Sequence, residues 1–174
     1  MHTALRLPTV QLPQVPAGGK FQTDQTLHQL VEFTEIVLFA ANGVTDFLSA
    51  QHTSLMITDC WASIAAPGAT HKAHTHPNNY LSGVYNLQAD EGARHIRFDD
   101  PRMQTNIMNP PVSETTAQNA AQIHVGISDG MLVLFPAWLA LSVGESQRSR
   151  SNQHRIQADV HSFRPGNGVA EVGR

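Results

Sequence analysis

Cys60 is the only cysteine, so no disulfide can form within the chain, and a lone thiol in an apolar strand pattern reads as packing rather than as a nucleophile. Charged residues make up 14% of 174 positions and sum to −3, which leaves no basic stripe for nucleic acid or an anionic membrane. No apolar run approaches the length of a bilayer span, and no basic segment followed by an apolar one opens the sequence. The expectation is a cytoplasmic protein with neither nucleic-acid nor membrane partners. There is no glycine-rich phosphate loop leading into a helix and no G-x-S-x-G elbow around Ser82, which removes the usual nucleotide and hydrolase chemistries. Aromatics are scarce at 6%; Trp61 and Trp138 read as core or cavity wall, since indole offers only a hydrogen-bond donor.

Histidine is what the chain does hold. There are 10, three of them in the stretch P-G-A-T-H-K-A-H-T-H-P-N-N over residues 67–79. His74 and His76 stand two apart, so on a β-strand both imidazoles leave the same face. A helix would turn them roughly 200° apart at about 3.6 residues per turn. Two neutral imidazoles on one strand face make a ready ligand pair for iron(II), zinc or copper. The plain alternative is a pair of surface loop histidines. His95, His124 and His154 have no partner at ligand spacing and read as surface residues.

The length suits one domain with one core. Residues 1–23, with Pro8, Pro13, Pro16, Gly18 and Gly19, read as an extended arm. Asp24 is a plausible N-cap for a helix whose stripe is Leu27, Leu30, Val31, Leu38 and Ala41, ending near Gly43; a second helical piece is expected over 44–50. Strands are expected over 56–65, 80–88, 94–99, 122–127, 131–135 and 155–163. Helices followed by short strands predict an α+β domain over 24–163 with a β-barrel or sandwich core. Residues 99–102, D-D-P-R, predict a turn with a local ion pair. The polar stretch 103–121 predicts a lid, and the Gly-rich tail 164–174 predicts disorder. In the last strand Arg155, Gln157, Asp159 and His161 alternate with Ile156, Ala158 and Val160, giving one polar face. That face either meets solvent or lines a cavity, where Arg155 offers a two-pronged guanidinium to a carboxylate.

Gly68 followed after five residues by H-x-H resembles the first cupin motif, and Gly130 followed after five by Pro136 resembles the second. A longer series runs W-x(9)-H-x-x-H-x-H-P-N-x-x-L-S-G-V-Y from Trp61, then F-x-D-P-R from Phe98, then G-x-L-V-L-F-P-x-W-L from Gly130, then Arg155. Over residues 27–163 the chain resembles a family of small bacterial and phage 2-oxoglutarate/iron(II) oxygenases. The resemblance implies a double-stranded β-helix (jelly-roll, cupin-like) core with N-terminal helices packed on it. It also implies iron(II) on His74 and His76, with 2-oxoglutarate held by Arg155 beside Tyr85 and Gln157. The implied reaction oxidises a C–H bond of a small-molecule or peptide-like substrate. A homodimer is left open.

One position departs from the family. Its third metal ligand is a histidine three residues beyond the tryptophan, where this chain has Leu141, and counting from Gly130 gives the same residue. Gln157 replaces a hydroxyl-bearing residue and Asn86 replaces a tyrosine. Three readings stay open. A substitute ligand could come from His71, Asp159 or His161, the last about 20 Å along the strand from Arg155 at roughly 3.3 Å per residue. Alternatively, two histidines hold the metal with water or substrate, or the barrel is a non-catalytic module that binds a small acid or a metal.

Overall fold

The computed structural model describes residues 15–16, 19–23, 31–51, 54–66, 69–88, 95–102, 110–143 and 153–163; Val31, Gln88 and all of 153–163 except Val160 are described through the backbone alone. In chain order the elements are β1 (Lys20–Gln22), α1 (Val31–Phe47), β2 (Ser54–Ala65), β3 (His71–His74), β4 (Leu81–Gln88), β5 (His95–Asp99), β6 (Gln122–Gly126), β7 (Leu132–Pro136), β8 (Leu141–Val143) and β9 (Gln153–Phe163). The architecture is mostly β, with one helix among the described residues.

The expected helix break at Gly43 does not occur. Gly43 is not in the left-handed region, and hydrogen bonds from Asn42 Nδ2 to Leu38 O (2.8 Å) and from Thr45 Oγ1 to Asn42 O (2.8 Å) bracket it. The chain leaves the helix at Ser49, whose φ is 51°. There Ala50 N–H donates to Thr45 O (2.9 Å) and Ser49 N–H to Asp46 O (3.0 Å), the paired bonds that satisfy the last carbonyls of a helix. The expected cap, Asp24, lies outside the described residues, as do most of the arm and the tail.

All pairings are antiparallel, in a five-stranded sheet β1-β2-β9-β4-β7 and a four-stranded sheet β3-β8-β5-β6. From β2 to β5 the chain alternates between the sheets, turns back through the β5–β6 pair, and alternates again to β9. Retracing its own path sets β9 against β2 and β4, β7 against β4, and β8 against β3 and β5. This is the winding of a jelly roll, as the resemblance implied.

Each face of the five-stranded sheet has its own apolar cluster. Phe33, Val37 and Ala41 of α1, all at most 1% exposed, pack on Cys60, Leu81 and Val160. A second cluster joins the sheets: Val84 and Phe135 from one, Ile96, Phe98, Leu141 and Val143 from the other. Burying each large side chain of this kind contributes about 1.5–3 kcal/mol. Cys60, 2% exposed, belongs to the packing, as expected. The two clusters fix the parity of β4: Leu81 faces the helix, and Val84 faces the space between the sheets.

Candidate functional site

β3 pairs with β8 so that His71 lies opposite Val143 and His74 opposite Leu141. Three steps on β3 thus match two on β8, and the extra residue is a bulge. Cross-strand partners share a face, and Val143 and Leu141, two apart, share theirs. The bulge therefore brings His71 and His74 to one side of the strand, with ring centroids 6.5 Å apart. The expectation that both residues of H-x-H lie on a strand needs correction, because β3 ends at His74.

His76 lies beyond that end, and other bonds hold it. Its N–H donates to Ala137 O (2.9 Å), while Ala137 N–H donates to Tyr80 O (3.1 Å) and Tyr80 N–H to Val160 O (3.0 Å). The P-N-N turn between them uses its asparagines for specific purposes. Asn78 takes φ 66°, a conformation asparagine tolerates better than most residues. Asn79 Oδ1 accepts a 2.8 Å hydrogen bond from Thr58 Oγ1, and Thr58 is the extra residue of the β2 bulge between Ile57 and Asp59. The loop carrying His76, which leaves β3 of the four-stranded sheet, is thereby fastened to the five-stranded one.

The His74 and His76 rings lie 5.1 Å apart at 53°. His74 Nδ1 sits 2.8 Å from Lys72 O, and a carbonyl oxygen only accepts, so the proton is on Nδ1 and the lone pair on Nε2. His76 is 7% exposed, stacked on Trp61 (6.0 Å, 21°) and edge-on to Phe135 (6.0 Å, 65°). Its buried Nε2 makes no hydrogen bond among the described residues. Two imidazoles sharing a metal at right angles, each about 2.1 Å from it, hold their centroids roughly 4.5 Å apart. The observed spacing suits a shared cation, so the pair fits a metal.

The third vertex does not. Leu141, directly across from His74, is 2% exposed and packs with Phe98 and Phe135, whose rings are 5.2 Å apart. Leu141 is the position at which the resemblance implied a third donor, and its hydrocarbon side chain is part of the core. Among the described residues no three His, Cys, Asp or Glu side chains converge closely enough to hold a metal ion.

Beneath the pair, the five-stranded sheet presents rows of register-matched residues. Arg155 pairs with Ser63 and Asn86, Gln157 with Trp61 and Val84, and Asp159 with Asp59 and Ser82. The row of Asp159 and Ser82 ends on Phe135. Arg155, Gln157 and Asp159 therefore occupy rows whose described members face between the sheets. His161 pairs with Met56, which is 44% exposed, beyond these rows. Tyr85 is not brought into the site. It is one residue off the Val84 parity, and its ring meets Phe33 of α1 at 5.7 Å on the sheet's other face.

Asn86 carries more than its sequence signalled. It is 0% exposed, its Nδ2 donates to Met131 O (3.3 Å), and its buried Oδ1 has no hydrogen bond among the described residues. The available signal was its even spacing from Val84. The Lys72 carbonyl has no signal in the sequence at all.

Other expectations divide. Trp138 is no cavity wall: it caps the turn closed by Leu139 N–H to Pro136 O (2.9 Å) and is 62% exposed. Arg102 does clamp Asp100, with Nε at 2.9 Å and Nη2 at 2.6 Å, and that hydrogen-bonded carboxylate raises the guanidinium pKa above its ordinary value. Residues 110–121 form neither helix nor strand, and Ala117 and Ala120 wall a cavity of about 250 Å³ with Phe98, Arg102 and Leu139. Phe98 and Leu139 also belong to the cluster around Leu141, and neither His74 nor His76 lines the cavity. His95 and His124 are exposed, their rings 6.3 Å apart across β5 and β6.

A family profile described as "Putative 2OG-Fe(II) oxygenase" matches residues 59–159, more than half of the chain. Among curated protein sequences none matches. Solved structures do. A Pseudomonas putida prolyl-4-hydroxylase is 13% identical with a TM-score of 0.54, over 87% of this chain and 73% of that one. A 2OG-Fe(II) oxygenase family oxidoreductase from Burkholderia pseudomallei is 11% identical with a TM-score of 0.53, over 82% of this chain and 64% of that one. HygX from Streptomyces hygroscopicus, with nickel and 2-oxoglutarate bound, is 9% identical with a TM-score of 0.53, over 86% and 71%. At these identities the likeness establishes the fold. No helix among the described residues is long and apolar enough to cross a membrane.

Proposed function

Because the chain belongs to the 2OG-Fe(II) oxygenase family, we propose that it is a cytoplasmic iron(II)- and 2-oxoglutarate-dependent oxygenase of small-molecule or peptide-like substrates, with a metal site built on two histidines. The His74–His76 pair carries the proposal, with its 5.1 Å spacing and a His74 tautomer that leaves Nε2 as the donor. Trp61 and Phe135 sheathe the His76 ring and keep water from that side. Arg155 supplies a guanidinium for the distal carboxylate of 2-oxoglutarate, supported by its register position beside Asn86 and Ser63. Gln157, one row on, is a further polar group toward the cosubstrate. When bound, iron(II) and 2-oxoglutarate together with oxygen supply the oxidising power, yielding succinate and carbon dioxide. Of the substitute third ligands, Asp159 has the most support, since its row leads to the Phe135 that His76 packs on.

Leu141 favours a second reading, a cupin-like module that binds a small acid or a metal without redox chemistry, because an apolar vertex withholds one donor from the metal. Succinate formation from 2-oxoglutarate separates the two, measured under air with iron(II) against a His74→Ala control. Turnover above the control is expected. Succinate at the control level would leave the binding module.

A further inference from the structure

The outward face of α1 is untouched by the chemistry proposed above. Ile36, Phe39 and Phe47 are 41%, 83% and 85% exposed, on a helix whose other face buries Phe33, Val37 and Ala41 at 1% or less. Midway between the two phenylalanines, four residues from each, stands Gly43. A Cβ there would meet nothing within 4 Å, and the residue is not in the left-handed region, so neither space nor backbone demands glycine. Alanine would favour the helix. An exposed mid-helix glycine with a phenylalanine one turn to each side is suited to one thing in particular. It lets a second backbone come close while rings interlock on either side.

We infer that this face is a homodimer interface in which the α1 helices of two copies pack antiparallel, Gly43 against Gly43 at the two-fold axis. The pattern is symmetric about that residue, as an isologous contact requires. An antiparallel register through Gly43 sets Phe39 of one copy beside Phe47 of the other. The same register sets Asp46 opposite Ala40, while Glu32 and Glu35 lie beyond the end of the other copy's helix, so no carboxylate meets another. Two exposed phenylalanines burying about 150–250 Å² each, with Ile36 and the flanking helix, give roughly 500 Å² per copy. The total of about 1,000 Å² stands at the lower bound for a specific interface, so association is weak and concentration-dependent.

Sedimentation equilibrium of the full chain across the micromolar range tests this. The 19.0 kDa chain is expected to shift toward twice that mass as concentration rises. Gly43→Gln places a long side chain at the two-fold axis. It is expected to weaken dimerisation by about 30-fold or more without lowering Tm, because the space around Gly43 is open within the monomer. Gly43→Cys is expected to give a disulfide-linked dimer under mild oxidation, while Cys60, 2% exposed, does not cross-link the parent chain. A parent chain that stays monomeric throughout overturns the inference, whether another segment or another protein covers the face. So does a dimer that Gly43→Gln leaves intact, or a Gly43→Cys variant that fails to cross-link.

Discussion

Replacing Leu141 with histidine should turn a two-donor site into a three-donor one, at a stability cost that the metal then partly returns. Leu141 is 2% exposed, opposite His74, and packed with Phe98 and Phe135. Its removal forfeits about 1.5–3 kcal/mol of burial. An imidazole in its place adds about 1–3 kcal/mol as a buried polar group lacking a partner. For a chain of this length 1 kcal/mol moves Tm by about 2–4 °C, so the metal-free variant should melt roughly 10 °C below the parent. A third nitrogen donor should tighten metal binding by about 10–100-fold, or roughly 1.4–2.8 kcal/mol, at least what losing an outer-sphere partner costs. With iron(II), or with zinc or nickel as oxygen-stable surrogates, the metal-induced rise in Tm should be larger in the variant than in the parent by about 3–10 °C. Leu141→Ala opens the same space without a donor, so it should melt early yet respond to metal as the parent does. Thermal melts of all three proteins with and without metal measure this. If the histidine variant responds no more than the alanine variant, Leu141 is ordinary core and the vertex argument fails.

Anaerobic titration should find one divalent metal per chain in the parent and none after joint replacement of His74 and His76 by alanine; equal binding would reduce the pair to packing. Arg155→Gln should weaken 2-oxoglutarate by about 10–100-fold, the worth of one charge-assisted hydrogen bond, while leaving metal affinity unchanged. Calorimetry in the presence of zinc separates those two affinities, and an unaltered 2-oxoglutarate affinity would remove Arg155 from the site. Asn86→Leu replaces a buried amide, whose Oδ1 has no hydrogen bond among the described residues, with a side chain of similar shape, so Tm should hold or rise. If 2-oxoglutarate binding also holds, Asn86 faces no ligand.

What could be read in advance follows the length of each pattern. β2, β4, β5 and β9 are long enough for alternation to declare them, and the D-D-P-R ion pair announced itself by composition. β1 and β8, three residues each, are too short for any period, and β8 is the strand that presents Leu141 to His74. Identifying Leu141 therefore depended on counting motif residues rather than on seeing a strand. The helix was misjudged at Gly43 because glycine most often ends a helix, whereas here Ser49 takes the left-handed turn instead. Tyr85 was placed at the site by the resemblance alone, and strand parity takes it away. Neighbours on a strand always part company, so placing Val84 between the sheets commits Tyr85 to the helix side and Asn86 to the interior. Bulges are the deepest gap, since an extra residue in a strand has no compositional mark. The β3 bulge turns His71 to the side of His74, and the β2 bulge offers Thr58 to the loop that carries His76. The geometry of the histidine cluster thus rests on two local irregularities. The spacing H-x-H could name the residues but could not foresee that the strand ends between them, leaving His76 to be held by Ala137 and its loop by the Thr58–Asn79 bond, both on the five-stranded sheet.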